Sequence, residues 1–504
     1  MELIHTLFDR AVETYGKKIA IEESDNQFTY AQLKHRSESI ALVLLRLGIK
    51  EGDRVAILAP NCADYLSIQY ATSRIGALLE VLNTRHVTSE LIYAINNADA
   101  RCLFIHQDCG EHLKELESLT TIEYSIGLKA FEDCQFNLDN LLQDTKEAKL
   151  PTLEKKNIPA VLMYTSGTTG RPKGAIQDQE NSINADLITV SLLNIIKEDR
   201  FLAFMPFFHQ AGLIRARAVL SQGAAIIIPS SINKENIAQF LINEKITMTM
   251  LVPPYNGTLL QICKEENLSL PDLRMLIGGP AGKSVKEFCH EQLCSYMTVY
   301  GQTEVTGLIT AISDQEIWSH PDSVGKVVND MEIQIWDESN KPVKIGETGE
   351  IMAKSIRCIK GYWNNQQASE SLYSGEWLHT GDLGKLNDEG FLYFINRKKE
   401  LIKTGGENVY PLEVENVLSQ HPEVKEVVVL GLPDSEWGEA VTAVLVTLDN
   451  EEITQEDLKE FCGGKLAGYK IPKQVFCTDE IPRNHTGKVN KILLQESLIM
   501  PKEY

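Results

Sequence analysis

The chain has 504 residues, of which 43% are hydrophobic, and its formal net charge at pH 7 is −21. This length predicts roughly three folding units with a substantial core, and the acidic balance argues against a nucleic-acid partner or an anionic membrane surface. The 10 cysteines include no C-x-x-C pair, which favours reduced intracellular thiols over a disulfide framework or a zinc site.

The first predicted element is an amphipathic surface helix over residues 1–16, whose mixed charges distinguish it from a signal peptide. No apolar run approaches the ~20 residues that a transmembrane helix needs, and the C-terminal residues match no retention or peroxisomal signal. We therefore expect a cytoplasmic location.

Helical patterns alternate with short apolar runs over residues 28–104, which predicts an α/β architecture with parallel strands. A charged stretch at 107–156 is expected to hold peripheral helices and connections, and 158–164 is predicted to be a buried strand. The predicted helices before that stretch are 31–47, 62–75 and 90–97, and the predicted strands are 55–58 and 102–105.

A second α/β series and a β-rich module follow. We predict an α/β protein with a large N-terminal domain at 1–396, a charged hinge at 397–400 and a small α+β C-terminal domain at 401–504. The predicted strands are 200–205, 224–228, 248–252, 275–278, 332–337, 349–352, 391–396, 424–430 and 440–448, and the predicted helices are 234–244, 411–421 and 456–465.

The segment from Tyr164 to Gly174 reads YTSGTTGRPKG and follows a predicted strand. Glycines let backbone N–H groups approach an anion, hydroxyls donate further hydrogen bonds, and a lysine supplies a point charge. The segment therefore predicts a phosphate-binding loop, with a flexible surface loop as the alternative. Its spacing differs from the common phosphate loop, in which Gly-Lys-Ser/Thr follows a first glycine after four residues.

Four later motifs add to this loop. In Tyr300-Gly301-Gln302-Thr303-Glu304 an aromatic ring can stack on a purine, a hydroxyl can bind phosphate, and a carboxylate can hold Mg²⁺. Residues 277–282 read IGGPAG and predict a glycine turn that can present backbone groups to a base, with a simple tight connection as the alternative. Asp382 can accept hydrogen bonds from ribose hydroxyls, although a turn residue is the alternative. Lys488 follows a glycine near the C-terminus, where a lone lysine is usually a surface charge.

Together these motifs resemble the adenylate-forming superfamily of acyl-CoA synthetases, adenylation domains and beetle luciferases, and in particular its acyl-CoA ligase branch. The resemblance covers nearly the whole chain. It extends to FTYAQL at 28–33, LNTR at 82–85, PFFH at 206–209, GETGE at 346–350, GYW at 361–363 and KTGGENVYP at 403–411.

The resemblance implies a reaction in two steps that uses ATP, Mg²⁺ and coenzyme A. A carboxylate first attacks the α-phosphate of ATP, which gives an acyl-adenylate and pyrophosphate, and a thiol then attacks the acyl-adenylate. Catalysis of the first step is positioning and charge stabilisation at phosphorus. By likeness, Thr303 contacts the α-phosphate, Glu304 holds Mg²⁺, and Lys488 contacts both the substrate carboxylate and the α-phosphate.

The glycine-rich loop would bind the β and γ phosphates, and the C-terminal domain would swing about Lys399 after adenylation, bringing Gly405 and Gly406 to a pantetheine tunnel. A plain charged linker is the alternative for the hinge. The residues assigned to nucleotide or coenzyme A binding are Thr165, Ser166, Gly167, Thr168, Thr169, Gly170, Lys173, Gly279, Pro280, Tyr300, Gly301, Gln302, Asp382, Arg397, Lys399, Gly405 and Gly406.

His209 would lie where the acyl group and the thiol meet, in a lining or gating role, with simple packing as the alternative. Arg215 and Arg217 are two residues apart and cannot share a helical face. We hypothesise that one of them pairs with a second carboxylate or polar group on the substrate, with a surface salt bridge as the alternative. The predicted acyl pocket comprises Phe208, Ala211, Gly212, Arg215, Arg217, Tyr255, Gly278, Val305 and Leu308.

The chain departs from the family pattern at three places. The usual Gly-Gly-Ala-Pro turn is Gly-Gly-Pro-Ala at 278–281, a histidine usual after the loop is Gln179, and an aspartate usual after the hinge is Glu400. None of these touches the phosphate chemistry, so activity is still expected.

We therefore predict an ATP-dependent ligase that joins a small carboxylic acid to coenzyme A. A stand-alone adenylation enzyme that loads a carrier protein, supplied as a separate chain, is the nearest alternative. A luciferase-like oxygenase and a non-catalytic nucleotide-binding homologue also remain open. The sequence specifies neither the acid nor the oligomeric state. A homodimer is one option for the oligomeric state.

Overall fold

The computed structural model describes residues 2–24, 26–129, 131–143, 149–153, 157–165, 172–252, 255–279, 283–313, 316–404, 407–434, 437–448, 452–463, 465–483 and 489–499. The chain divides into two compact units. The first comprises Met1–Ile333, Met352–Leu378 and Glu389–Leu392, and the second comprises Gln334–Ile351, His379–Asp388 and Tyr393–Tyr504. The second unit thus takes in segments that precede residue 397, and the predicted hinge stays a prediction.

Helices and strands alternate along most of the chain, which confirms the mixed α/β class. The helices are α1 (Ile4–Tyr15), α2 (Tyr30–Arg46), α3 (Ala63–Ile75), α4 (Thr88–Ala98), α5 (Leu113–Leu119), α6 (Leu138–Gln143), α7 (Gln179–Leu193), α8 (Gln210–Ser221), α9 (Ile237–Asn243), α10 (Tyr255–Glu265), α11 (Lys283–Glu291), α12 (Glu316–Ser319), α13 (Gln366–Glu370), α14 (Pro411–Leu418), α15 (Gln455–Cys462) and α16 (Lys491–Ile499). In the described part of the chain, each of these is too short or too polar for a membrane span.

The strands agree with most of the predicted apolar runs. They are β1 (Ile19–Glu23), β2 (Asn26–Thr29), β3 (Arg54–Leu58), β4 (Leu78–Val81), β5 (Cys102–His106), β6 (Tyr124–Leu128), β7 (Phe136–Asn137), β8 (Pro159–Thr165), β9 (Lys173–Asp178), β10 (Arg200–Leu202), β11 (Ala225–Ile228), β12 (Met248–Met250), β13 (Met275–Gly278), β14 (Ser295–Gln302), β15 (Gly307–Ser313), β16 (Lys326–Val327), β17 (Glu332–Trp336), β18 (Gly349–Lys354), β19 (Tyr373–Ser374), β20 (Trp377–Leu386), β21 (Leu392–Arg397), β22 (Ile402–Thr404), β23 (Glu407–Val409), β24 (Val424–Asp434), β25 (Gly438–Thr447) and β26 (Gln474–Cys477).

A seven-stranded sheet of the first unit has the order β7-β6-β5-β3-β4-β8-β9. Its neighbours are parallel except for the hairpin of β8 and β9, which places Thr165 opposite Lys173. The stretch 107–156 was expected to hold peripheral helices and connections; it contains α5 and α6, but also β6 and β7, which continue this sheet. Strands buried on both faces read as continuous apolar runs, which explains why the sequence predicted β3, β5 and β8.

A nine-stranded sheet of the same unit has the order β16-β15-β14-β13-β12-β10-β11-β1-β2. The strands from β14 to β1 are parallel, and antiparallel strands close both edges. Strand β10 is shorter than predicted and ends at Leu202, because Phe204 N–H turns back to the carbonyl of Leu202 and the carbonyls of Ala203 and Met205 accept from the side chain of Asn61. Strands β13 and β14 end at the two glycine motifs, and ligands of such sheets bind at the carboxyl ends of parallel strands.

Two smaller sheets complete the fold. A five-stranded sheet has the order β17-β18-β20-β19, with β21 beside β20, and the last sheet has the order β23-β22-β25-β24, with β26 beside β25. Helix α14 begins with Pro411 at a position where the missing N–H costs nothing, and it packs its buried Val414 and Leu418 with Leu458 of α15. This part confirms the predicted small α+β architecture.

Glu80 is a buried carboxylate in the middle of the seven-stranded sheet. It lies on β4 between Ala56 of β3 and Leu162 of β8, and among the described residues neither carboxylate oxygen has a hydrogen-bond partner. Burial raises the pKa of Glu80 to about 8, although the positive charge of Arg54 opposes this shift. The folded protein therefore keeps this carboxyl protonated over a range in which the unfolded chain releases the proton.

We expect Glu80→Gln to become progressively more stable than the natural chain as the pH rises from 5 to 8. The pKa of Glu80 is higher in the folded chain than in the unfolded chain. Between these two pKa values the natural chain loses stability as the pH rises, at up to ~1.4 kcal/mol per pH unit, whereas glutamine does not titrate. Thermal unfolding at pH 5, 6.5 and 8 measures the difference, with the exposed Glu51→Gln as control. A pH-independent difference between Glu80→Gln and the natural chain would contradict the assignment.

Candidate active site

The glycine-rich loop leaves and re-enters the fold through one hairpin. Thr165 ends β8 and Lys173 begins β9, and the two residues pair across the hairpin. Because these strands are hydrogen-bonded up to that point, the ends of the loop are held together although Ser166–Gly170 and Arg171 lie outside the described residues. The phosphate-binding roles of the loop residues therefore remain predictions; these residues are Ser166, Gly167, Thr168, Thr169 and Gly170.

The carboxylate of Glu304 is the point at which the predicted phosphate and metal residues meet. Its Oε1 lies 2.9 Å from the hydroxyl of Tyr362 and 3.4 Å from the hydroxyl of Thr165, and both hydroxyls donate to it. The Nζ of Lys173 lies 5.2 Å from the centroid of the Tyr362 ring. Residues far apart in sequence thus form one cluster of a carboxylate, two hydroxyls and a cation.

Tyr362 is a site residue to which the sequence analysis assigned no role. Burial raises the pKa of its phenol, and the neighbouring charge of Glu304 raises it further, so the hydroxyl remains a donor. A short bridge between Tyr362 and Ala175 fixes the backbone beside the hairpin, and Ile359 N–H donates to the carbonyl of Glu304 at 2.9 Å. The GYW motif marked the segment, but no spacing rule connects it to Glu304.

This cluster suits a cation that is shared with phosphate groups. Mg²⁺ is usually held by one or two carboxylates together with the phosphates of a nucleotide. Glu304 supplies such a carboxylate, and Thr303 precedes it at the start of a 3₁₀ turn. Within the described ranges, no group of three or more His, Cys, Asp or Glu side chains could bind a metal ion by itself.

The predicted adenine-binding residues lie at the ends of neighbouring strands. Gly278 ends β13, and the hydroxyl of Tyr296 donates to the carbonyl of Gly279 at 2.7 Å. A Cβ at Gly278 would lie 2.4 Å from that hydroxyl, so the turn requires glycine there. Tyr300, Gly301 and Gln302 complete β14, and Pro280 lies outside the described residues. Tyr296 positions the turn, and no motif indicated it.

A small cavity lies where the PFFH segment faces β4 and α4. Phe208 and His209 line it from one side, and Asn83, His86 and Tyr164 line it from the other. His209 is the residue that precedes α8, and its ring centroid is 4.6 Å from that of Phe208. This placement is compatible with the predicted lining role of His209.

Asn61 holds the backbone of residues 203–207 in place, although the sequence analysis did not single out this asparagine. Its side-chain amide donates to the carbonyls of Ala203 and Met205 at 2.9 and 3.0 Å, and its carbonyl oxygen accepts from Phe207 N–H at 2.7 Å. Gly212 lies in the first turn of α8, where a Cβ would be 2.1 Å from the carbonyl oxygen of Pro206. Helix α8 therefore packs directly against the turn.

The remaining pocket residues are divided between two places. Ala211 lies in the first turn of α8, and the ring of Tyr255 contacts Phe204 with centroids 4.6 Å apart. Val305 and Leu308 instead belong to an apolar cluster that packs against Tyr362. Val305 and Leu308 therefore lie in the apolar cluster on which Tyr362 of the Glu304 cluster packs.

Both arginines of α8 are buried, so a surface salt bridge is excluded for either. Arg217 forms an ion pair with Asp186 of α7, with Nη2 2.9 Å from Oδ1 and Nε 2.9 Å from Oδ2. This pair satisfies the charge of Arg217 within the protein and leaves Arg215 as the residue of the two that is available to a substrate. Arg215 Nη1 donates to the carbonyl of Ala211 at 2.9 Å.

In the second unit, the predicted ribose-binding residues contact each other. Arg397 Nε lies 3.3 Å from Oδ1 of the buried Asp382. The adjacent Gly381 N–H donates to Glu350 at 3.1 Å, and Lys398 also contacts Glu350, at 2.7 Å.

Glu350 accepts a hydrogen bond from Gly381 in the part of β20 that carries Asp382. Burial acts to raise its pKa, but hydrogen bonds from Lys398 and His379 outweigh burial and lower the pKa below its ordinary value. Lys399 lies in a 3₁₀ turn between Lys398 and Glu400. Gly405, Gly406 and Lys488 lie outside the described residues, so their roles remain predictions.

Two departures from the family pattern have structural partners. Gln179 is buried at the start of α7, where its side-chain oxygen accepts from Ile4 N–H at 3.0 Å and from the Ser73 hydroxyl at 3.1 Å. Glu400 forms an ion pair with Lys491 at 2.7 Å. Gln179 thus serves the core, and Glu400 fixes the segment after β21 to α16.

An α/β fold in which a partly buried tyrosine and a threonine at the end of a glycine-rich segment donate to one carboxylate is suited to an enzyme that acts on nucleotide phosphates. The chain belongs to the AMP-binding enzyme family, whose profile matches residues 8–363. The AMP-binding enzyme C-terminal domain matches residues 413–488. These matches confirm the predicted superfamily and its large N-terminal and small C-terminal domains.

Curated relatives match over nearly their whole length. The long-chain-fatty-acid–CoA ligase FadD13 of Mycobacterium tuberculosis (strain CDC 1551 / Oshkosh) is 30% identical over 490 residues, which cover 95% of each chain. A 2-succinylbenzoate–CoA ligase of Bacillus cereus (strain ZK / E33L) is 33% identical over 476 residues, which cover 94% of each chain. The predicted class, an AMP-forming acid–thiol ligase, is confirmed by these relatives.

Solved structures agree with this class. The o-succinylbenzoate CoA synthetase (MenE) of Bacillus subtilis in complex with the acyl-adenylate intermediate OSB-AMP superposes with a TM-score of 0.86 at 30% identity, covering 98% of both chains. The same synthetase with ATP and magnesium ion also gives a TM-score of 0.86 at 30% identity, covering 97% of this chain and 99% of that one.

We expect Tyr362→Phe to raise the Mg²⁺ concentration needed for half-maximal adenylation about tenfold. Loss of the hydroxyl removes a hydrogen bond to a charged group, worth roughly 1.5–3 kcal/mol, and leaves the Glu304 carboxylate less well oriented. Magnesium titrations of ATP–pyrophosphate exchange measure the effect.

Tyr373→Phe is the matched control, because Tyr373 packs in the same cluster but donates to the carbonyl of Ile359. An equal change in both variants would assign the effect to packing rather than to the carboxylate.

Proposed function

We propose that this chain activates a carboxylic acid as acyl-AMP at the Glu304 cluster and then transfers the acyl group to the thiol of coenzyme A. The observation that carries the proposal is the convergence of Thr165 and Tyr362 on one carboxylate beside the glycine-rich hairpin. A carboxylate so placed is suited to a nucleotide-bound cation. The fold and the relatives support the acid–thiol ligase class.

The first step overcomes repulsion between two anions. A carboxylate oxygen of the acid attacks the α-phosphorus of ATP, the new P–O bond forms, and the bond to pyrophosphate breaks. Glu304 would hold Mg²⁺, and the bound ion would neutralise charge on the phosphate oxygens. Thr165 and Lys173 would position the β and γ phosphates, and Thr303 would contact the α-phosphate.

The second step replaces AMP by sulfur. The thiol of coenzyme A attacks the acyl carbon, the C–S bond forms, the bond to the AMP oxygen breaks, and the thiol proton passes to solvent or phosphate. His209 would line the place where acyl group and thiol meet, without acting as a base. We place the enzyme in the cytoplasm, because its acceptor is an intracellular thiol and its scattered cysteines suit a reducing compartment.

ATP–pyrophosphate exchange across a panel of carboxylic acids tests the proposal, with products made in the presence of coenzyme A identified by mass. We expect acid-dependent exchange and an acyl-CoA product, and we expect Glu304→Gln to lower the exchange rate by about 10²-fold or more. If none of the acids supports exchange, the proposal is overturned in favour of a non-catalytic nucleotide-binding protein. Exchange without an acyl-CoA product, but with acylation of a carrier protein, would overturn the acceptor.

Lys488→Ala should separate the two half-reactions. We expect adenylation to fall strongly, because the variant lacks the cation that we assign to the substrate carboxylate and the α-phosphate. Thioester formation from supplied acyl-adenylate should be comparatively intact, and single-turnover assays of each step measure both rates. An equal loss in both half-reactions would show that Lys488 acts in some other way.

A further inference from the structure

Arg215 carries a buried positive charge for which the described part of the chain provides no carboxylate partner. Arg215 is 3% exposed, and its Nη1 donates to the carbonyl of Ala211 at 2.9 Å. Its Nε and Nη2 are buried and have no hydrogen-bond partner among the described residues. Burial lowers the pKa of Arg215 to about 10, so the guanidinium is still charged at neutral pH. A buried, partly unsatisfied cation costs folding free energy unless an anion pairs with it.

Arg217, two residues further along the same helix, is a buried arginine that does have a carboxylate partner. Residues two positions apart in an α-helix point about 200° apart around its axis. The side chains of Arg215 and Arg217 therefore leave α8 on opposite sides. Arg217 meets Asp186 of α7 in a buried ion pair that uses three hydrogen bonds. Within the residues that the structure describes, Arg217 thus has a carboxylate partner and Arg215 has none.

The direction of the Arg215 side chain relates it to the candidate active site. Its hydrogen bond to Ala211, four residues earlier, shows that the guanidinium extends along α8 toward the helix N-terminus. That end of α8 follows Phe208 and His209, which line the cavity. The guanidinium of Arg215 therefore lies beside the first turn of α8, with Nη1 on the carbonyl of Ala211, two residues after the cavity-lining His209.

We propose that Arg215 binds a second carboxylate of the acid substrate, which makes the preferred substrates dicarboxylic acids. A guanidinium presents paired N–H donors in a plane that matches a carboxylate, and its Nε and Nη2 lack other partners. A long apolar chain would leave this cation unpaired. The inference rests on the proposed ligase activity and specifies the class of acid that it takes.

The test compares acids that differ by one carboxylate, using adipic against hexanoic acid and 2-succinylbenzoic against 4-oxo-4-phenylbutanoic acid. We expect the natural chain to use at least one dicarboxylic acid with the higher kcat/KM, measured by ATP–pyrophosphate exchange. In Arg215→Met the ratio of kcat/KM for dicarboxylic over monocarboxylic acid should fall about 10- to 100-fold. A preference for the monocarboxylic acid in both pairs, or an unchanged ratio, would overturn the proposal.

Conservative and neighbouring substitutions separate recognition from packing. Arg215→Lys should recover part of the ratio, because it restores the charge without the planar pair of donors. Arg217→Lys keeps a cation opposite Asp186 and should leave the ratio unchanged. Arg215→Met should also raise the melting temperature, since it removes an uncompensated buried charge. A lower melting temperature together with equal losses for both acids would show a purely structural role.

Thermal unfolding in the presence of each acid keeps this inference distinct from the proposed activity. Lack of exchange with every acid would count against the ligase proposal alone. Arg215 would then be judged by binding: stabilisation by a dicarboxylic acid that is lost in Arg215→Met supports the inference, and the same response in both chains overturns it.

Discussion

The hydrogen bond from Tyr362 to Glu304 is the contact on which the geometry of the candidate site depends. It joins the turn after β14 to the GYW segment, and Tyr362 in turn bridges to Ala175 of the β8–β9 hairpin. Since the hairpin pairs Thr165 with Lys173, the phosphate-loop ends and the predicted metal ligand share one rigid frame. Both donors to this carboxylate are hydroxyls, and a carboxylate is a ligand that Mg²⁺ prefers in proteins.

A second feature of the first unit is that its buried arginines are usually paired with carboxylates. Several buried or half-buried arginines have carboxylate partners, as Arg74 has Asp9 and Arg274 has Asp199, both at 2.6 Å. Glu80 lacks such a partner, but a carboxyl can become neutral by keeping its proton. An arginine has no such route near neutral pH, and this difference is why the isolated Arg215 points to a ligand while Glu80 does not.

Much of the fold could be predicted, because parallel strands buried on both faces leave continuous apolar runs. The runs at 55–58, 102–105 and 275–278 lie within β3, β5 and β13. Strand β9 was missed because it follows the loop directly and pairs as an antiparallel edge. Strands β6 and β7 were missed because their surroundings are strongly charged, and a short strand then resembles a connection.

Less of the candidate site was predictable. Glu304, Lys173 and Thr165 carry motif signals, but Tyr296 and Asn61 act through hydrogen bonds to backbone groups, which leave no pattern in a sequence. Their partners are set by the packing of α8 and of the strand ends against distant segments. A tyrosine or asparagine in such a position looks like any other until the fold brings its partner within 3 Å.

The amino-acid sequence by itself determined the α/β class, the family and the chemical groups available for phosphate and cation binding, because periodicity and local motifs are carried by neighbouring residues. Only the tertiary structure decided which groups meet. Helical spacing showed that Arg215 and Arg217 diverge, but not that Asp186 would neutralise Arg217 and leave Arg215 alone. Pairing of buried charges depends on contacts between separate elements, and such contacts exist only in the folded chain.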